Sequence, residues 1–538
     1  MLSKSEQSKL RNKLFRHLDG IVTGPTVYTL EEQGVLACLL SEKTASIHTL
    51  TRQFNANEGY LNVALRILCS QGWLEQEINN EKNTVTYHIN DVSEIAFKYA
   101  TWYKNAVHLL RLSGKYHPRV FQMEPFLIME STFRELMDTF LKDLSSDPAE
   151  RAVQEQIASH IEGMLLGPTL VHLGMTGMFH KYFMETRFMP EEFHEDPTGF
   201  GRLLDILTEL NWFVKSNGVY EFTEQGLFFA KRASAYGVTV SYIPTLRKLN
   251  ELLFGNPIVL KNTQKGAEEK HVDREMNVWG SGGAHAAYFK VVDEMVINLF
   301  NKPIEQQPRG ILDMGCGNGA FLKHLFQVIE TQTYRGTVLD EHPLTLIGVD
   351  YNEAALKVSR QNLVQADVWA KIIWGDIGNP QQLASDLKEK FNITLSDLLN
   401  VRTFLDHNRI WEEPQNSAPI RTSHSTGAYV SNGKRLPNNR VFASLKQHFE
   451  KWKPYVQEFG LLLIELHTVD PKLVAKMPGK TAATAYDATH GYSDQYILEI
   501  DEFITALKEA GLEADPSTFR KFPNSDLATV SVGLYRSL

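Results

Sequence analysis

Two sets of residues in this 538-residue sequence have the types and spacing to do chemistry. The first is Asp313-Met-Gly315-Cys-Gly317-Asn318-Gly319, which follows Gly310-Ile-Leu and precedes the apolar-periodic run Ala320-Phe-Leu-Lys-His-Leu-Phe326. Alternating glycines between a strand and a helix make a tight turn that a ligand can approach down to the main chain, because no β-carbon stands in the way. The pattern is Asp-x-Gly-x-Gly-x-Gly, not the Gly-x-Gly-x-x-Gly of a dinucleotide site. The second set lies in Arg402-Thr-Phe-Leu-Asp406-His407-Asn-Arg409, in Glu465-Leu-His467 and in His490-Gly-Tyr-Ser-Asp494-Gln495-Tyr496. An imidazole such as His407 or His490 titrates near neutral pH and can take a proton. Oxygen and nitrogen donors with open positions also suit Mn or Fe better than a closed structural Zn site, which favours thiolates. The separate segments have no tight metal-ligand spacing, so a polar pocket without a metal stands beside the metal reading.

The elements that must position these residues are the strands of an α/β sheet. After Gly310–Met314, the run Leu344 to Val349 reads as a second strand ending in Asp350, with a helix from Glu353 to Leu363. Trp369 to Trp374 reads as a third strand, followed by Gly375-Asp376-Ile377. Ile393 to Val401 is the expected fourth. Phe459 to His467 is the fifth, apolar enough to be buried on both faces. Ligands of an open α/β sheet lie at its carboxyl edge, so Asp406, His407 and His467 are expected together there. Asp350 lies further from Asp313 than the spacing of about 20 residues known from dinucleotide folds. The polar segment Thr331 to Glu341 is expected to absorb the surplus as a surface insertion. The glycine motif, with acidic residues at three successive strand ends, resembles class I S-adenosylmethionine (SAM) methyltransferases. The resemblance implies a Rossmann-like domain with SAM held by Asp313, Gly315, Gly317, Asn318, Gly319, Asp350, Tyr351, Asp376 and Ile377. Asp350 would meet the ribose diol, and the Asp376 region the adenine.

Length and an apolar content of 43% allow three or four domains with several cores. A formal charge of −9 argues against a general nucleic-acid binder. Three cysteines give neither a disulfide framework nor a metal spacing, and no apolar run could span a bilayer, so a cytoplasmic protein is expected. The first 255 residues hold a repeat. Asp19-Gly-Ile-Val-Thr-Gly24-Pro25-Thr26 is echoed by Glu162-Gly-Met-Leu-Leu-Gly167-Pro168-Thr169, and Gly34 with Gly177 keeps the same offset. Leu65 to Leu74 is echoed by Leu204 to Phe213, and alternating stretches follow in both copies. Helices closed by a short hairpin make a winged-helix unit. The expected order is a first repeat over 1–96, a helical connector over 97–158, a second repeat over 159–260 and a methyltransferase domain over 261–538. The recognition helices carry only Arg66 and Arg202 as positive charges, which is poor material for phosphate contacts. A dimerising or substrate-covering role is expected instead.

Within the last domain, 271–289 is expected to be a lid with a flexible turn at Gly280 to Gly283 beside Trp279 and His285, and 412–440 a flap or disordered loop. The segments around Asp406, His467 and Gln495 resemble the metal-dependent C-methyltransferase domains of apratoxin-type polyketide synthase loading modules. The resemblance implies Asp406, His467 and Gln495 as ligands of Mn or Fe. It also implies a malonyl group, free or on an acyl carrier protein, as methyl acceptor. A metal would stabilise the enolate of a carbon between two carbonyls, with His407 or His490 taking the proton. The alternatives are a metal-independent small-molecule O-methyltransferase and a winged-helix SAM-sensing regulator. A homodimer is expected for the whole.

Overall fold

The computed structural model describes residues 2–112, 123–261, 269–415 and 421–537. Of residues 123–125 and 283–287 the backbone alone is described. The His285 side chain, most of the expected Lys261 to Lys270 linker and the middle of the expected flap therefore lie outside the described residues.

Helix α1, Lys4–Glu32, opens on a capping box between Ser3 and Glu6, which satisfies backbone donors at its start. It leads to the first recognition helix α2, Glu58–Ser70, and to the wing strands β1, Glu75–Asn79, and β2, Thr84–His88. The second repeat has the same parts: α3, Pro148–Met175, α4, Pro197–Glu209, and the hairpin β3, Phe213–Ser216, with β4, Val219–Phe222. Both copies are winged helices. They pack on each other through α1 and α3, crossing at the equivalent glycines Gly20 and Gly163. A β-carbon at Gly20 would lie 2.3 Å from His160 Cα, and one at Gly163 2.4 Å from His17 Cα. The crossing is nearly symmetric: His17 Nδ1 meets the Tyr236 hydroxyl at 2.8 Å, and His160 Nδ1 meets that of Tyr103 at 2.7 Å. The repeated Asp/Glu-Gly motif thus marks a helix crossing.

Helix α5, Arg274–Phe300, runs without a break through the expected lid. Gly280 serves close packing: its β-carbon would stand 2.6 Å from Gly237 Cα, on helix Ser234–Ser241. The expected flexible turn is therefore a helix crossing.

The α/β domain comes next. Its strands are β5, Gly310–Met314; β6, Thr345–Asp350; β7, Lys371–Trp374; β8, Leu398–Thr403; and β9, Leu461–Leu466. Helix α6, Ala320–Gln332, follows β5, and α7, Glu353–Gln365, follows β6. Helix α8, Asn438–Val456, precedes β9; α9, Ala483–Gly491, and α10, Ile500–Glu509, follow it. The chain ends in β10, Leu512–Ala514, β11, Arg520–Phe522, and β12, Val530–Ser537. The sheet order is β10-β12-β9-β8-β5-β6-β7, with β11 beside β12. Strands β5 to β9 are parallel, and β12 joins antiparallel to β9. Leu312 and Met314 pack toward α8, whereas Ile311 packs toward α5 and α6, so the sheet is covered on both faces.

Two expected strand starts shift, and one expected surface insertion is tied inward. Strand β8 starts at Leu398, because Ile393 caps the preceding helix: its N–H donates to Leu387 O at 3.1 Å. Trp369 is 88% exposed and lies outside β7. The Thr331 to Glu341 segment is tied inward by buried Arg335, which donates to Gln307 Oε1 at 3.0 Å and to His342 O at 2.9 Å. The described part of the expected flap is not free either, and it ends in regular structure. Tyr429–Ser431 pairs with Lys434–Leu436, Asn80 Nδ2 donates to Ser423 O at 2.8 Å, and Arg435 Nε donates to Glu58 Oε1 at 2.9 Å. It is a hairpin held by the first winged helix. Among the described residues no helix is long and apolar enough to cross a membrane.

Candidate functional site

Chain order reverses between β5 and β8, and the crevice at the carboxyl ends of those strands is where an open α/β sheet binds its ligand. The glycine turn lies there. Gly315, Gly317 and Gly319 have φ of +78°, +54° and +78°, in the left-handed region that excludes most side chains. The turn is braced on several sides. Gly315 N–H donates to Val349 O at 2.7 Å, Gly317 N–H to Asp350 Oδ2 at 3.0 Å, Ser359 Oγ to Gly317 O at 2.7 Å and Asn362 Nδ2 to Asn318 O at 3.0 Å. A β-carbon on Gly317 would meet nothing within 4 Å, so that residue faces open space.

Asp313 is 1% exposed, and neither carboxylate oxygen has a hydrogen-bond partner in the protein. Burial, with Asp350 nearby, pushes its pKa up to about 8. A buried acid with both oxygens unmatched asks for a donor or cation from outside the chain. SAM carries a sulfonium and an ammonium, so the residues present fit it. Asp350, at the end of β6, is raised mainly by burial, and its second oxygen accepts the Asn352 N–H at 2.8 Å. Asp376 Oδ1 accepts from Gly378 N–H at 2.8 Å, and the Ile377 carbonyl accepts from Trp452 Nε1 at 2.8 Å. Tyr351 is half-exposed, its ring 5.4 Å from that of Trp374. The expected SAM residues thus line three adjacent strand ends.

The second cluster forms beyond β8 and β9. Phe404, directly after β8, has φ of +53°, an outlier for a bulky residue, and its N–H is fixed to Ile464 O at 2.7 Å. That bend feeds the turn Asp406–Asn408. His407 Nδ1 lies 2.6 Å from Glu465 Oε1, and the other oxygen of Glu465 accepts the Asp406 N–H at 2.8 Å. Both side chains are buried. The ring of His490 stands 5.0 Å from that of His407, and its Nδ1 lies 2.8 Å from Tyr486 O. Burial first, and then His407, lower the pKa of His490 to about 3, so it is neutral. Gln495 Nε2 donates to Tyr242 Oη at 3.0 Å, which brings the second winged-helix region to the same pocket. Tyr496 N–H donates to His407 O at 2.8 Å.

Of the residues that the resemblance implies as metal ligands, His467 is engaged otherwise and Asp406 through one of its two oxygens. His467 is fully buried, with Nδ1 3.1 Å from Leu498 O and Nε2 2.7 Å from Ser531 Oγ, so both nitrogens are used; burial lowers its pKa to about 3. Asp406 Oδ1 accepts from Arg402 Nη1 at 2.5 Å and from His448 Nε2 at 2.8 Å. Burial works against its charge, but Arg402 and His448 outweigh it and hold the pKa down to about 2. Among the described residues no three His, Cys, Asp or Glu side chains converge on a point that could hold a metal ion. His467 therefore does not fit a metal centre as it stands, whereas Asp406 keeps a buried Oδ2 without a hydrogen-bond partner and Gln495 is held through its Nε2 alone.

Sequence reasoning missed His448, and it quoted Glu465 and Arg402 within their motifs without giving either a role. Glu465 had a signal: it is the acid in an otherwise apolar strand run, Leu461-Leu-Leu-Ile-Glu-Leu. His448 had none, since it sits on the buried side of an ordinary amphipathic helix.

Three family models match this chain. They describe the AprA N-terminal domain over residues 10–76, the AprA winged helix domain over 162–256 and the AprA MT2-like domain over 269–533. Curated proteins gave no match. Similar solved structures include an O-methyltransferase family protein from Burkholderia thailandensis, 12% identical, with 69% of this chain and 94% of that one covered and a TM-score of 0.40. The mitomycin 7-O-methyltransferase MmcR is 12% identical over 72% of this chain and 99% of its own, with a TM-score of 0.41. The CurJ carbon methyltransferase is 14% identical over 76% of this chain and 99% of its own, with a TM-score of 0.32. Likeness at this level says nothing about substrate. The three matched domains, in this order and over most of the chain, place it in the AprA-like family: it is a SAM-dependent methyltransferase.

Proposed function

We propose that His407 deprotonates the methyl acceptor, and that the acceptor is a malonyl-type β-dicarbonyl thioester methylated at carbon. The observation that carries the base assignment is the 2.6 Å contact between His407 Nδ1 and Glu465 in buried surroundings. A carboxylate accepts the Nδ1–H, which fixes the tautomer with the lone pair on Nε2 and stabilises the imidazolium once the proton arrives. The C–H between the two carbonyls gives its proton to Nε2. The resulting enolate carbon attacks the SAM methyl as the methyl–sulfur bond breaks, leaving S-adenosylhomocysteine, and the proton then passes to solvent. An anion and a sulfonium become two neutral groups, a change favoured in a pocket of low polarity.

The acceptor class rests on the family, and a malonyl unit in polyketide assembly is its natural form. A metal-assisted version in which Mn or Fe holds the acceptor oxygens does not fit His467 as placed, both of whose nitrogens are engaged. O-methylation is the second reading, favoured by the same dyad, because a hydroxyl acceptor needs a base and little else. Delivery on an acyl carrier protein would draw on the basic residues around 434–453. Several of these are already paired: Arg435 with Glu58, Arg440 with Glu413, and Lys451 with Glu412. A homodimer would have to use surfaces other than the α1 and α3 faces that pack together here. Free thiols at Cys38, Cys69 and Cys316 fit a cytoplasmic setting.

The test is incubation with SAM labelled at the methyl carbon and a malonyl thioester, followed by carbon NMR of the product. Label on the carbon between the carbonyls is the expected result. Label on oxygen, or none on this acceptor while hydroxyl compounds are methylated, would replace the proposal with the O-methyl reading.

A further inference from the structure

The positive charge of the first recognition helix does not face solvent. Arg66 is 2% exposed, and its guanidinium reaches three separate segments of the catalytic domain. Nε donates to Asp487 Oδ2 at 3.1 Å, Nη2 donates to Thr468 Oγ1 and to Val469 O, each at 2.9 Å, and Nη1 donates to Thr426 O. Thr468 Oγ1 closes the network by donating to Asp487 Oδ1 at 2.6 Å. Each contact sits beside the chemistry. Asp487 is one helical turn before His490 on α9, Thr468 follows the end of β9 that carries Glu465, and Thr426 belongs to the hairpin segment that the first winged helix holds. Other residues of α2 extend the grip: Tyr60 Oη donates to Asp494 Oδ1 at 2.7 Å, and a β-carbon on Gly491 would lie 2.8 Å from Val63.

Burying a guanidinium is costly unless its donors are met, and here all three nitrogens are. A planar fork fixes the directions of several partners at once, which a lysine ammonium cannot do. The face that a winged helix could present to a DNA groove is spent on holding the catalytic pocket together.

We propose that Arg66 is a positioning residue for methyl transfer. From the first winged helix it sets the His490 helix, the end of β9 and the hairpin segment in register, so that the acceptor pocket forms only when that repeat is docked. This rests on the placement of the acceptor pocket at His407 and His490. The test compares the full chain with its Arg66→Lys and Arg66→Ala variants in three measurements: affinity for S-adenosylhomocysteine by calorimetry, amide hydrogen exchange, and kcat and KM on a malonyl thioester. The expected result is unchanged S-adenosylhomocysteine affinity and unchanged exchange in the 310–319 turn. Exchange should be faster in 424–430, 467–470 and 484–496, and kcat should fall by about 10²-fold, the scale of a small misplacement of reacting groups. Arg66→Lys keeps the charge and the fold, so local loosening in that variant separates positioning from unfolding. Unchanged exchange in those three segments, or a uniform rise across the whole chain, would overturn the proposal. If wild type fails to methylate the malonyl thioester, the acceptor assignment falls, while the exchange and affinity arms still decide the role of Arg66.

Discussion

Replacing Glu465 with glutamine changes one oxygen to an amide nitrogen at nearly constant volume, so the effect is confined to hydrogen bonding and charge. Three donors converge on the carboxylate: His407 Nδ1 at 2.6 Å and Leu466 N–H at 2.7 Å on one oxygen, and Asp406 N–H at 2.8 Å on the other. Glutamine supplies one acceptor oxygen and one NH2. If the NH2 faces Asp406, two donors oppose each other and the imidazolium loses its counter-charge. If it faces His407, the ring must turn its lone pair toward Nδ1 and carry its proton on Nε2, the wrong tautomer for a base. The first outcome weakens general-base catalysis and the second removes it, so kcat should fall by about 10²- to 10⁴-fold. The unmatched buried donor should cost about 1–3 kcal/mol of stability. Because neither residue of the dyad is among those expected to hold SAM, SAM affinity should not change. The assay is single-turnover methyl transfer with SAM saturating, alongside calorimetric SAM binding and urea unfolding. His407→Gln should lose as much rate, and the double variant no more than either single one, since the two residues act as a unit. Full rate in Glu465→Gln, or multiplicative losses in the double variant, would refute the dyad.

Gly315→Val should abolish SAM binding in a folded protein: φ is +78°, and a β-carbon would stand 2.9 Å from Leu405, which calorimetry will check. Asp313 should make stability pH-dependent. Its folded pKa, raised to about 8, keeps it protonated where the unfolded chain ionises near 3.9, so stability without SAM should decline as pH rises from about 4 to 8. The Asp313 share of the slope should be at most about 1.4 kcal/mol per pH unit and should be missing in Asp313→Asn, where buried Asp19, also raised to about 8, still contributes its own; urea unfolding at several pH values measures the difference. Treatment with a strong chelator should leave turnover unchanged, because both ring nitrogens of His467 are already engaged; loss of activity restored by Mn or Fe would reverse that reading.

The parts of this protein legible in its sequence are those set by local rules. Asp313 and its three glycines announced a strand, a turn and a helix because positive φ is a property of the residue itself. Buried parallel strands announced themselves as unbroken apolar runs, and acids at their ends marked the ligand edge. The two winged helices were visible because repetition needs no knowledge of contacts.

The tertiary structure alone decided which partner each polar or small residue meets. Gly280 reads like a hinge, yet it is the crossing point of two helices, since a missing β-carbon serves a turn and a close approach equally. The 412–440 segment reads as a loose flap because its composition is polar, yet among its described residues Ser423 and Arg435 are bonded to Asn80 and Glu58, hundreds of residues earlier. His407 and His467 are the same residue type at two neighbouring strand ends. Only the fold gives the first a buried carboxylate and closes both nitrogens of the second on Leu498 and Ser531. A residue's type and local spacing fix what its side chain is able to do; whether a lone pair is left to do it depends on neighbours brought in from far along the chain, and no local pattern records them.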